Sequence, residues 1–138
     1  MKGGKYPEPV VGAAIVNGSG EMLFIRSPKW FNKLTVPGGH VEIGETLEHA
    51  VEREVREETG LRVKAKRLIG VQEAIFSKEF KWLRHFICFD YLCALKGGRL
   101  KFDGREATEA VWLKPRDALK KDVDSFTRKT IRALLGRD

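Results

Sequence analysis

Apolar positions along this chain change period several times, and each change marks an element. Residues 10–17 and 21–26 are apolar-rich runs separated by Gly18-Ser19-Gly20, a pattern that predicts two strands joined as a hairpin. Residues 34–36 read as a third short strand that runs into Pro37-Gly38-Gly39. From 47 to 59 the period becomes helical, with Leu47, Ala50 and Val51 on one stripe at about 100° per residue. Thr46, after the turn of Ile43, Gly44 and Glu45, suits an N-cap, and Gly60 suits the stop because glycine accepts the left-handed conformation that ends helices. Residues 62–71 begin with strand alternation. Residues 82–95 hold Phe86, Ile87, Cys88 and Phe89 in succession, as in a strand buried on both faces. Lys96-Gly97-Gly98 then predicts a turn, 110–113 a last strand and 115–120 a short helix. A longer helix is predicted over 125–135, capped by Asp124, with Phe126, Ile131, Leu134 and Leu135 inward. Strands on both sides of one central helix, and a terminal helix, predict an α+β (mixed α/β) sandwich. With 138 residues and no repeat, linker or low-complexity stretch, a single domain over 1–138 is expected.

The polar residues of the central helix break this ordinary picture. Between Gly39 and Leu61 stand seven glutamates against Arg53 and Arg56, in a chain whose net charge is +7. Glu54, Glu57 and Glu58 lie at i, i+3 and i+4, on the same stripe as Leu47, Ala50 and Val51. An inward face that begins apolar and ends in three carboxylates puts like charges at the core's edge, where they are costly without compensation. A hard cation resolves the conflict, because Mg²⁺ is held by carboxylates, carbonyls and water. A solvated glutamate face is the alternative, but it leaves Pro37-Gly38-Gly39 unexplained; paired glycines allow tight turning and close backbone approach to a ligand. Arg53, one turn before Glu57, is placed to pair with it and orient its carboxylate.

Gly39, Glu45 and the run Arg53-Glu54-Val55-Arg56-Glu57-Glu58-Thr59-Gly60-Leu61 resemble the Nudix hydrolase signature, G-x5-E-x7-R-E-U-x-E-E-x-G-U with U aliphatic, at every specified position. Pro37-Gly38 and Glu42 also look like the family's approach to this box. The resemblance implies a mixed sheet sandwiched between helices and Mg²⁺- or Mn²⁺-dependent hydrolysis of a phosphoanhydride in a nucleoside diphosphate derivative. By the same matching, Glu54, Glu57 and Glu58 would be metal ligands, with the Gly39 carbonyl as a further one, and Arg53 and Glu45 supporting residues. The family's general base varies in position, being a box glutamate such as Glu54 or Glu57, or an acid on a later loop. Glu106 and Glu109, ahead of Val111-Trp112-Leu113, resemble that acid-bearing loop, and either is a catalytic acid or a solvated surface group.

Substrate contacts are less constrained. Arg26, Lys29 and Lys33 precede the glycine pair and would neutralise phosphate oxygens. His40 sits beside Gly39, where it either contacts a phosphate or makes a structural hydrogen bond. Trp30, Phe31, Phe76, Phe80 and Trp82 lie outside or at the edges of strands, and each either packs in the core or stacks on a base. His85 reads as structural.

A sequence pI near 9.6 raises nucleic-acid binding, and the 5′ end of RNA is an alternative substrate. The basic residues are scattered, however, and a small polyanionic nucleotide is served by the same field. A non-catalytic nucleotide sensor is the third reading; three converging ligands argue against it. Cys88 and Cys93, five apart in one strand, would lie ~16 Å apart on opposite faces, beyond disulfide reach. With no membrane-length apolar run and no signal core in the first nine residues, a soluble cytoplasmic protein is expected. The pattern leaves the oligomeric state open, a homodimer included.

Overall fold

A computed structural model describes residues 4–102 and 106–136. The strands are β1 (Glu8–Val16), β2 (Met22–Arg26), β3 (Leu34–Thr35), β4 (Gly38–His40), β5 (Leu61–Ile75), β6 (His85–Gly98) and β7 (Glu109–Leu113). The helices are α1 (Leu47–Thr59), α2 (Pro115–Ala118) and α3 (Ser125–Leu134), with a 3₁₀ turn at Pro28–Trp30. The strands form one mixed sheet of order β3-β2-β1-β6-β5, in which β4 also pairs with β1 and β7 with β2. β1 runs parallel to β6, and every other ladder is antiparallel.

Strand alternation divides the core into two layers. On one face Val11, Ala13 and Ile15 of β1, with Tyr91 and Cys93 of β6, pack on Ala50, Val51 and Val55 of α1. On the other, Ala14, Met22 and Phe24 pack on Ala118, Val123 and Ile131 from α2, α3 and their connection. The sheet is therefore sandwiched between helices, as expected. Cys88 and Cys93 are free thiols on opposite faces; Cys93 lies in the α1 layer and Cys88 faces the other side.

The helix ends follow their cap chemistry. Thr46 Oγ1 accepts from the His49 amide at 3.1 Å, and Gly60 takes φ of 79°. Asp124 Oδ1 accepts from the Thr127 amide at 2.7 Å and starts α3. β6 starts at His85 instead of 82 and α2 ends at Ala118 instead of 120, and larger differences lie elsewhere. β5 continues to Ile75 and β6 to Gly98, because their antiparallel ladder pairs Leu61 with Gly98 and Ile75 with His85; Gly97 and Gly98 thus extend a strand where a turn was expected. Gly38 and Gly39 form strand β4 against Gly12 and Val11 instead of a tight turn. Neither has a positive φ, so their role is closeness alone. A β-carbon at Gly38 would collide with the Val11 carbonyl oxygen, and one at Gly39 with the Glu54 carboxylate.

Candidate active site

The site is built where β4 crosses the C-terminal half of α1. The buried positions of the helix are Ala50, Val51, Val55 and Thr59, so its inward face is turned toward Val55. Glu54 and Glu58 consequently lie against the sheet, while Glu57, at the margin of the stripe, is 61% exposed. Of the three box carboxylates expected to converge, Glu54 and Glu58 face the sheet, and the more exposed Glu57 meets Glu54 at the shared Arg53 Nη1. Among the described residues, no group of three His, Cys, Asp or Glu side chains is arranged to hold a metal ion as it stands.

Arg53 ties the site together. Its Nε and Nη2 donate to both oxygens of Glu45, at 2.6 and 2.9 Å, and Nη1 donates to Glu54 and to Glu57, each at 3.0 Å. Nη2 also donates to the His40 carbonyl at 2.9 Å, fixing the strand beside Gly39. The guanidinium holds the Glu45 carboxyl well below the usual range, at about 2. Those carboxylates raise the Arg53 pKa in turn.

Glu54 and Glu58 line a cavity of about 270 Å³ that opens beside Gly38, Gly39 and Glu106. Burial pushes the Glu58 carboxyl up to about 8, against one hydrogen bond from the Gly38 amide at 3.1 Å, and the charges of Glu106 and Glu54 add to the rise. Burial also raises Glu54, offset by Arg53. These carboxyls pay desolvation without an equal cationic partner, and the Gly39 backbone lies against one of them. That donor set fits a hard divalent cation: carboxylates and backbone oxygen at the rim of a cavity.

A family model described as NUDIX domain matches residues 6–134. The chain belongs to the NUDIX domain family. The NAD-capped RNA hydrolase NudC of Pectobacterium carotovorum subsp. carotovorum is 32% identical over 111 residues, 79% of this chain and 40% of that protein. The ADP-ribose pyrophosphatase of Methanocaldococcus jannaschii is 45% identical over 75 residues, 54% of this chain and 42% of that protein. This chain therefore spans about two fifths of the length of these curated relatives. The solved MutT NUDIX hydrolase of Burkholderia pseudomallei shares 26% identity over 94% of this chain and 99% of that one, with a TM-score of 0.77.

The remaining candidates separate around this Nudix box. His40 lines the cavity rim, with its Nε2 2.7 Å from Glu8 Oε1 and its ring edge-on to Phe86. Arg26 and Glu109 pair with each other at 3.1 Å in the β2–β7 ladder and do not line the cavity. Lys33 lies 3.8 Å from both Glu79 and Asp122, also away from it. Of the two later acids, Glu106 lines the cavity, 3.2 Å from Lys29 Nζ, which lines it too. Trp30 and Phe80 line it with ring centroids 4.7 Å apart, whereas Phe31 and Phe76 are exposed and Trp82 packs edge-on to Phe80 outside it.

The cavity continues inward to side chains the pattern did not single out: Gln72, Asp90, Thr127 and Thr130, with Asp124 known only as a cap. One signal was available for Asp90. It follows Phe86 and Cys88 at period two on the same face of an apolar strand, where a carboxyl is unexpected.

Proposed function

We propose that the protein is a divalent-metal-dependent pyrophosphohydrolase that cleaves a phosphoanhydride in a small nucleoside diphosphate derivative. The observation that carries this reading is the trio of Glu54, Glu58 and Glu106 at the open end of one cavity, with two of the carboxyls raised by burial. Glu54 and Glu58 would hold Mg²⁺ or Mn²⁺, with the Gly39 carbonyl and Glu57 as further ligands. The ion supplies Lewis acidity and offsets charge on the diphosphate.

Arg53 positions Glu54 and Glu57 and the backbone beside Gly39. Glu106, as carboxylate, would be the base that takes the proton from a water as its oxygen bonds to phosphorus and the bridging P–O bond breaks, a role for which it is preferred to Glu109 because Glu106 lines the cavity. Lys29 offers positive charge next to it for phosphate oxygens. The relatives named for NAD-capped RNA and for ADP-ribose both support a substrate built on a nucleoside diphosphate.

Incubating purified protein with a panel of nucleoside diphosphate derivatives, with Mg²⁺ and with Mn²⁺, and separating the products by chromatography tests the reading. Release of a nucleoside monophosphate from at least one compound is expected. No cleavage across the panel would reject it.

A further inference from the structure

The inner end of the cavity differs in chemistry from its mouth. Lys29 and His40 belong to the mouth, and no Lys, Arg or His lines the inner end among the described residues. Two carboxyls stand there instead, Asp90 at 6% exposure and Asp124 at 1%. Asp124 is committed to α3, its oxygens accepting from the Thr127 amide and hydroxyl at 2.7 and 2.9 Å. Asp90 is held differently. Its Oδ2 accepts from Gln72 Nε2 at 2.9 Å, and the same nitrogen lies 3.0 Å from the Phe126 carbonyl and from Thr130 Oγ1, so β5 and α3 together fix the carboxyl.

Asp90 Oδ1 leans along the sheet toward Gly12, its register partner on the neighbouring strand β1. A β-carbon on Gly12 would come within 2.7 Å of it, so the glycine leaves this oxygen room inside the cavity. The rings of Trp30, Phe80, Phe86 and Phe126 line the same cavity, with Phe80–Phe86 centroids 5.1 Å apart and Trp30–Phe126 6.1 Å. A negatively polarised end walled by aromatic rings repels phosphate and favours a flat group that offers N–H donors.

We propose that Asp90 is a specificity-determining residue whose carboxyl receives the exocyclic amino group of a nucleobase seated in this inner chamber. The proposal rests on the pyrophosphohydrolase reading, which puts the diphosphate at Glu54 and Glu58, and adds the identity of the attached group: an amino-bearing base in preference to an oxo base. Burial pushes the Asp90 carboxyl up to about 6, with Asp124 adding to the rise, so a donor from a ligand relieves an existing cost. In Asp90→Asn the amide oxygen can keep the bond from Gln72, which turns an N–H donor toward the ligand. That variant exchanges the preference instead of merely weakening it.

The test is calorimetric binding of AMP, GMP and IMP to the wild type and to Asp90→Asn, alongside hydrolysis of the matching diphosphate derivatives. IMP carries an oxo group where AMP carries its amino group, and lacks the 2-amino group of GMP. The wild type is expected to bind AMP or GMP ~10-fold or more tighter than IMP, the value of one charge-assisted hydrogen bond. The Asn variant is expected to lose or invert that ratio. Neither amino nucleotide exceeding IMP in the wild type, or an unchanged ratio in a variant with an unchanged circular dichroism spectrum, would overturn the proposal. If the binding ratios behave as expected but nothing is hydrolysed, Asp90 keeps its role and the hydrolase reading falls.

Discussion

Among single residues, the carboxylates that share one cavity, Glu54, Glu58 and Glu106, separate from those that do not. Glu106→Gln is expected to lower kcat by ~10²–10⁴-fold, the usual contribution of a catalytic acid or base. Glu109→Gln, which releases its β2 partner Arg26 away from the cavity, should change it by less than about threefold. Steady-state kinetics on both variants checks this. Glu58 makes a second prediction through linkage. Its folded pKa of about 8 lies above the usual 4.5 of a free glutamate, so the folded state holds the extra proton between those values. The stability from that proton is complete below the unfolded pKa and is lost as pH rises through about 8. Glu58→Gln removes this loss. In metal-free buffer its melting temperature should match the wild type near pH 5 and exceed it increasingly toward pH 9, and a pH-independent difference would count against the buried, protonated carboxyl.

At the scale of elements, α1 was legible in full because its ends are local chemistry: the Thr46 cap and the Gly60 stop need no tertiary partner. Its inward face was less so. Glu57 lies near the margin of a stripe drawn through Leu47, Ala50 and Val51, and the packing of Val55 and Thr59 rotates the helix enough to expose it. The lengths of β5 and β6 are set by pairing with each other, which a one-dimensional pattern does not contain. Gly38 and Gly39 were legible as close-approach positions, although a turn was the conformation expected of them. Gly39→Ala should displace the Glu54 carboxylate and cost most of the activity with a modest change in melting. Gly38→Ala meets backbone instead, and should lower stability by about 1–3 kcal/mol, as overpacking does. Denaturant unfolding together with activity assays separates the two. Equal effects of both on stability and activity would contradict the division of labour.

At the scale of the whole molecule, the mouth of the cavity was largely present in the Nudix box, whereas its inner end was not. Gln72, Asp90 and Thr130 come from β5, β6 and α3, and only the fold brings them together. The net charge of +7 bears on substrate class. A nucleotide held through its diphosphate engages few phosphates, so its kcat/KM should vary only shallowly with salt. RNA bound through several phosphates would show a log-log slope of roughly −0.7 for each phosphate contacted. The shallow dependence is expected, with nucleoside diphosphate derivatives preferred over triphosphorylated or capped RNA 5′ ends. A steep slope with RNA preferred would move the substrate class and leave the carboxylate site in place.

Hydrolysis of a phosphoanhydride by the cavity carboxylates would depend on a bound divalent cation. The most direct test is turnover of the best nucleoside diphosphate derivative by wild type and Glu58→Gln, each stripped of metal and then titrated with Mg²⁺. The stripped wild type should show no activity and recover saturably on adding Mg²⁺, whereas Glu58→Gln should recover little at any concentration. Full activity of the stripped wild type, or wild-type recovery in the variant, would contradict it.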